Sequence, residues 1–293
     1  MIKIPVSSKI PTTPWPRSGV QEYTFSVRSS GGQPLGTDLK EFDWSLQVDS
    51  RRALVSVESF RSDADIADQP IGVFRFPIDD QQLREFQNLV TSSKLGELRP
   101  AMQGHPGYTE RLYTFERPGQ SIQQVINNSD EQTNVTIAPL RNKINSLLGT
   151  SFSHPERAVR LGIKQQPGGF EVTITNVGLE KVCFGDPRWL VAAGQLHRAV
   201  VMVTEFPNYN PGDLPALNWE PISLEAMRPY PQNEPLVELE SQGVWRATVA
   251  WKHPAGKRYL AYFTWANYQG EPIVKQVYRI RGRADSPRLT IEP

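Results

Sequence analysis

Phe42-Asp43-Trp44-Ser45-Leu46-Gln47-Val48 alternates apolar and polar side chains without a break. A period of two sends Phe42, Trp44, Leu46 and Val48 to one face of an extended strand and their neighbours to the other. Upstream, Tyr23, Phe25 and Val27 carry the same alternation; downstream, Val55 and Val57 repeat it ahead of Phe60, and Val73, Phe74 and Phe76 follow. Ser30-Gly31-Gly32-Gln33-Pro34 and Asp49-Ser50-Arg51-Arg52 place turn formers between these runs, so the region predicts strands joined by hairpins.

The period then lengthens. Asp79 with Gln82 has the spacing of a capping box, and Leu83, Phe86, Leu89 and Val90 form one apolar face at helical spacing. Arg111–Glu116 and Ser121–Ile126 read as a strand pair across Pro118-Gly119. Ile137, Leu140, Ile144, Leu147 and Leu148 predict a second helix, with Pro139 near its start and Gly149 as its left-handed C-terminal residue. Strands interrupted by two helices imply an α+β domain over residues 21–154, an antiparallel sheet with helices on one face. Residues 1–20 read as an extended tail, because Pro11, Pro14 and Pro16 surround Trp15 and deny it a regular hydrogen-bonding pattern.

From residue 155 to 293 the pattern is of strands alone: Arg157–Lys164, Phe170–Asn176, Leu179–Phe184, Arg198–Phe206, Leu236–Leu239, Val244–Trp251, Arg258–Asn267, Val274–Arg281 and Arg288–Ile291. Short strands between Gly and Pro signals predict an all-β antiparallel sandwich. Tyr259-Leu260-Ala261-Tyr262-Phe263-Thr264-Trp265, Tyr278-Arg279-Ile280-Arg281-Gly282 and Leu289-Thr290-Ile291 resemble the closing strands of immunoglobulin-like domains. The resemblance implies a fold and no function, and the paired cysteines of antibody domains are missing. In the first region, Tyr23-Thr24-Phe25-Ser26-Val27-Arg28-Ser29-Ser30-Gly31-Gly32, followed by the Asp79 helix, resembles emfourin-type protease inhibitors.

Charge narrows the partners. Residues 1–150 hold 16 Lys+Arg against 17 Asp+Glu, and residues 151–293 hold 16 against 14. Neither half has the positive excess that counterion release on DNA or RNA requires, which argues against a nucleic-acid partner. No apolar run is long enough for membrane insertion, and the N-terminal residues lack a secretory core, so a cytoplasmic protein is expected. The alternative is an exported chain whose leader has been removed.

Motifs for chemistry are sparse. The chain has no nucleophile elbow, phosphate loop or zinc-protease helix, and no cofactor is expected. His105, His154 and His253 stand beside prolines in turn-like contexts, and His197 is the fourth histidine. Cys183, the only cysteine, lies between Val182 and Phe184 and reads as a packed core thiol. The acids Asp63, Asp65 and Asp68 lack the glycine and the distal glutamate of a calcium loop.

Two features suggest binding. The 28 residues from Pro207 to Glu234 carry Tyr209, Trp219 and Tyr230 among six prolines, and Pro235 follows at the border. A connection this long is ordinarily functional or disordered, and aromatics favour the ordered case. Lys275, Arg279, Arg281 and Arg283, with Arg288 close after them, would form a positive stripe on one face of a straight strand. Such a stripe suits an anion or an acidic protein surface, and equally a charged edge that resists pairing. The expectation is a non-enzymatic module that binds another protein, such as an inhibitor, an immunity-type antidote or an assembly adaptor. The alternatives are an enzyme with a site assembled from His105, His154, His253 and nearby acids, and a carbohydrate-binding protein using some of its seven Trp and nine Tyr.

Overall fold

The computed structural model describes residues 22–30, 42–61, 69–98, 110–194, 198–206, 218–267, 279–280 and 282–293. The fold is mostly β, with large antiparallel sheets and four α-helices among the described residues. Its contacts define two compact units: Met1–Val57 with Arg75–Ser153, and Glu58–Phe74 with His154–Pro293. None of the described helices is long and apolar enough to cross a membrane.

In the first unit, β1 (Thr24–Ser30) pairs antiparallel with β2 (Phe42–Asp49) and, on its other edge, with β5 (Glu110–Arg117); β5 pairs with β6 (Gln120–Asn127). The predicted alternation becomes rows of side chains across the sheet. Val48, Phe25 and Phe115 form one row, and Leu46, Val27 and Tyr113 the next, all buried. β3 (Leu54–Ser59) and the end of β4 (Ile71–Pro77) extend this sheet beyond β2.

Helix α1 (Asp80–Ser92) covers that apolar face. Asp79 caps it as expected: its carboxylate accepts from Gln82 N at 2.7 Å, while Gln82 Oε1 accepts from Asp79 N at 3.1 Å. Leu83, Phe86 and Val90 are buried beneath it, and Phe86 meets Phe25 edge to face at 5.0 Å. Helix α3 (Ala138–Ser151) buries Leu140, Ile144 and Leu147. Gly149 does not end it. The helix continues for two residues to Ser151, with the Thr150 and Ser151 hydroxyls donating to carbonyls of the preceding turn; Gly149 faces solvent, where a missing side chain leaves no hole. A six-residue helix that the periodicity did not reveal, α2 (Asn128–Thr133), precedes α3. It carries Glu131, which is fully buried and paired with Arg111.

In the second unit, β7 (Pro155–Gln166) lies between β4 and β8 (Gly169–Asn176), and β8 pairs with β13 (Val244–Ala250). A second sheet runs β11 (Glu220–Ser223), β10 (Ala199–Glu205), β14 (Tyr259–Asn267), β15 (Gly282–Asp285), with β16 (Leu289–Ile291) also on β14. β9 (Val182–Gly185) pairs with β12 (Leu236–Leu239). The two larger sheets bury one core, in which Leu161, Phe170, Ile174 and Trp245 from the first join Val201, Phe263 and Trp265 from the second.

Four expectations are corrected here. The segment Glu58–Phe74, expected within 21–154, belongs to the second unit, because Ile71 pairs with Val159 and is buried in that core. The region expected to be all-β contains helix α4 (Pro187–Ala192), too short to show a period. The strand expected from Leu179 begins at Val182; Leu179 is 82% exposed, in a bend organised by the buried Asn176, whose side chain bonds Gly178 N and the carbonyls of Glu180 and Leu239. The long proline-rich connection contains β11, an edge strand that tolerates Pro221 because its donor edge can face outward. The N-terminal tail with Trp15 lies outside the described residues.

Candidate functional site

Of the three aromatic residues expected to bind a partner, Tyr230 and Trp219 are described and Tyr209 lies outside. Tyr230 is the more open. It is 50% exposed and stacks on Trp189 of α4, with ring centroids 6.1 Å apart and planes 9° from parallel.

The support of this stack is built from local chemistry. Asp186 caps α4 by accepting from Arg188 N at 2.9 Å, and Pro187 occupies the first turn, where its missing N–H costs nothing. The same carboxylate takes a two-pronged bond from the Arg188 guanidinium, at 3.1 and 2.7 Å. Hydrogen bonding to Asp186 raises the Arg188 pKa further above its ordinary value, so the cation is permanent. Arg188 also lies 5.9 Å from the centre of the Trp245 ring.

Three hydrogen bonds then fasten the segment that carries Tyr230. Met227 N donates to Arg188 O at 3.3 Å, Trp189 Nε1 to Pro231 O at 3.1 Å, and Asp186 N to Pro235 O at 2.9 Å. A fourth anchor is the ion pair between Glu234 and Arg279 at 2.8 Å, with side chains only 11% and 14% exposed. Tyr230 therefore stands on a loop clamped on both sides, so presenting its ring costs little further ordering. Beside α4, Glu171, Arg188, Glu225 and Arg246 give the surroundings a mixed charge around a recess of about 260 Å³.

Trp219 is held differently. It meets Tyr262 of β14 edge to face at 4.8 Å, and the Arg288 guanidinium lies 5.4 Å from its ring centre. It is half-buried against its own sheet. No ring contact among the described residues joins it to Tyr230.

The positive stripe is divided. Arg279 makes a bridge with Cys183 of β9 and is paired with Glu234, whereas Arg283 lies in β15 opposite Ala266, with Asp285 at 3.5 Å. Lys275 and Arg281 lie outside the described residues.

Of the histidines, His154 is exposed, and His253 Nε2–H donates to Lys257 O at 3.1 Å; His105 and His197 are not described. Burial pushes the Cys183 thiol above its ordinary pKa, so it stays protonated at neutral pH. Among the described residues, no three of His, Cys, Asp and Glu converge as a metal site would require. Asp63, Asp65 and Asp68 lie outside them.

Trp189 and Arg188 are the residues that sequence reading missed. The available signal was Asp186-Pro187, a capping residue before a first-turn proline. No protein-family model matches the chain, and no curated protein matches it.

Proposed function

We propose that the chain is a non-enzymatic protein-binding module, and that Tyr230 on its Trp189 support is the anchor of the binding surface. The observation that carries this reading is the half-exposed ring on a clamped loop. Interface anchors are typically aromatic residues of this kind, held rigid before the partner arrives and surrounded by polar groups. An inhibitor, an immunity-type antidote and an assembly adaptor all share this requirement. The sharing of one core by two antiparallel sheets supports a sandwich of immunoglobulin-like type as the scaffold, a fold that serves many binding proteins and dictates none of their partners.

The test is a capture experiment with the tagged full chain beside its Tyr230→Ala and Trp219→Ala variants. A stoichiometric partner should be lost or weakened by about 2 kcal/mol in Tyr230→Ala. Trp219→Ala should weaken it less, because that ring already serves its own sheet. Capture of the same partner, undiminished by Tyr230→Ala in a folded protein, would exclude this surface.

A further inference from the structure

A second aromatic feature in the same unit has no role in the Tyr230 surface. The turn Pro167-Gly168 joins β7 to β8, and the end of β13 runs directly beside it, with Trp251 N donating to Gly168 O at 2.9 Å. Gly169 makes this approach possible. A Cβ there would lie 1.9 Å from Val249 O and 2.8 Å from Trp251 N, and its φ of +156° is one that side chains rarely adopt.

The result is a fixed indole. Trp251 stacks on the fully buried Phe170 at 5.1 Å, with planes 21° apart, and Tyr259 meets it edge to face at 5.2 Å. Trp251 lines a cleft of about 490 Å³, together with Gln165, Gln166, Lys252 and His253, whose ring lies tilted against the indole with centroids 5.4 Å apart. That volume falls in the usual range for small-ligand sites.

The polar groups around the cleft have a consistent character. Gln166 Nε2 gives one of its two hydrogens to Phe170 O at 3.3 Å, which fixes the amide and leaves its carbonyl oxygen as acceptor, while the exposed Gln165 offers both donor and acceptor. His253 commits Nε2–H to Lys257 O, so in its neutral form Nδ1 is an acceptor. Among the described residues, the cleft lining contains no carboxylate. Lys257 nearby is neutralised by Glu205 at 2.6 Å, whereas Lys252 has no ion-pair partner among the described residues.

We propose that this cleft binds an oligosaccharide bearing carboxylate or sulfate groups. Trp251 packs against the C–H face of a pyranose, Gln165 and Gln166 bond its hydroxyls, and the ammonium of Lys252 meets the acid group. A phosphate ligand fits less well, because phosphate sites gather several cations or converging backbone N–H groups, and the described lining of the cleft holds one lysine. This proposal is independent of the Tyr230 surface.

Titration calorimetry of the full chain with tetragalacturonate, a heparin-derived tetrasaccharide, maltotetraose and adenosine monophosphate tests it. At least one acidic tetrasaccharide should bind saturably, more tightly than maltotetraose, and weaken as salt rises. Lys252→Gln, an exposed change, should erase roughly fivefold of that preference. Gln165→Ala and Trp251→Phe, the latter keeping a ring on Phe170, should each weaken binding, and Tyr230→Ala should leave it unchanged. Failure of both acidic oligomers to bind would overturn the proposal. So would equal binding of maltotetraose, tighter binding of the nucleotide, or acidic-sugar binding undiminished by Lys252→Gln.

Discussion

The two units bury a sheet face by different means. In the first, helix α1 lies over the sheet and seals it with one face, Leu83, Phe86 and Val90, while α3 packs against α1 and buries Leu140, Ile144 and Leu147. In the second, a sheet is covered by another sheet, and the seal joins residues as distant in sequence as Ile71, Phe170 and Trp265. A helical cover is specified by spacing within a dozen or so residues and by its caps. A sheet cover is specified only when strands from remote segments arrive together. The contrast extends to the two proposed binding surfaces: the clamped Tyr230 and the Trp251 cleft both belong to the second unit, where turns and loops between sheet strands hold aromatic residues.

Truncating a fully buried ring in each unit tests this contrast most severely. Phe86→Ala and Trp265→Ala should each destabilise by about 3–5 kcal/mol in urea unfolding. Hydrogen exchange locates the damage: Phe86→Ala should release β1 and β5, and Trp265→Ala should release β10 and β14. Release of the same strands by both changes would break the comparison.

The buried ion pair of the first unit comes next. Glu131→Ala leaves Arg111 buried without its carboxylate and should cost about 3 kcal/mol by denaturant titration. Glu234→Ala in the second unit strands Arg279, as exposed as Arg111 at 14%, but removes a carboxylate that is 11% exposed where Glu131 is fully buried, and should cost less; equal losses would show that this difference in carboxylate burial does not govern the pairs.

Removal of the α1 cap sharpens the comparison from the local side. Asp79→Ala should cost about 1 kcal/mol, and Asp79→Ser, which restores an accepting oxygen, should recover most of it in the same measurement. A loss several times larger would mean that α1 depends on its cap more than on the face it buries.

The smallest effect concerns mildly alkaline pH. Burial raises Tyr23 and Tyr113 above the ordinary 10.0, and Cys183 above the ordinary 9.0. Each group stays protonated in the folded chain while the unfolded chain releases its proton, so the unfolded state is favoured as pH rises. Stability from this source is fully present below the thiol's unfolded value, begins to fall above about pH 9 and falls more steeply above about pH 10. Urea midpoints from about pH 8 to pH 10 should decline only near the upper end. Cys183→Ala, judged by the slope rather than the absolute midpoint, should flatten the onset, and an unchanged onset would remove the thiol from this account.

Much of the first unit could be read from residues close in sequence. Tyr23, Phe25 and Val27 declared a buried face by alternation, and Asp79 with Gln82 declared the start of α1. The candidate site was readable only in part. Tyr230 stood out among prolines, but nothing near it in sequence pointed to Trp189, 41 positions earlier. Arg279 read as one of a row of free cations, yet it is tied to Glu234. Gly149 looked like a helix terminus because glycine at that spacing often is one, and the two residues beyond it bonded back to the helix instead.

By itself the sequence determined where most of the described strands and the two longer helices run, which side chains share a face in them, and how α1 begins, because period, turn chemistry and capping act over a few neighbouring residues. Tertiary structure alone decided that Glu58–Phe74 joins the second unit, that Trp219 rests against its own sheet while Tyr230 remains open, and that Trp251 lines a cleft. Those outcomes depend on which remote surfaces bury one another, as in the pairing of Ile71 with Val159, and no local pattern carries that information.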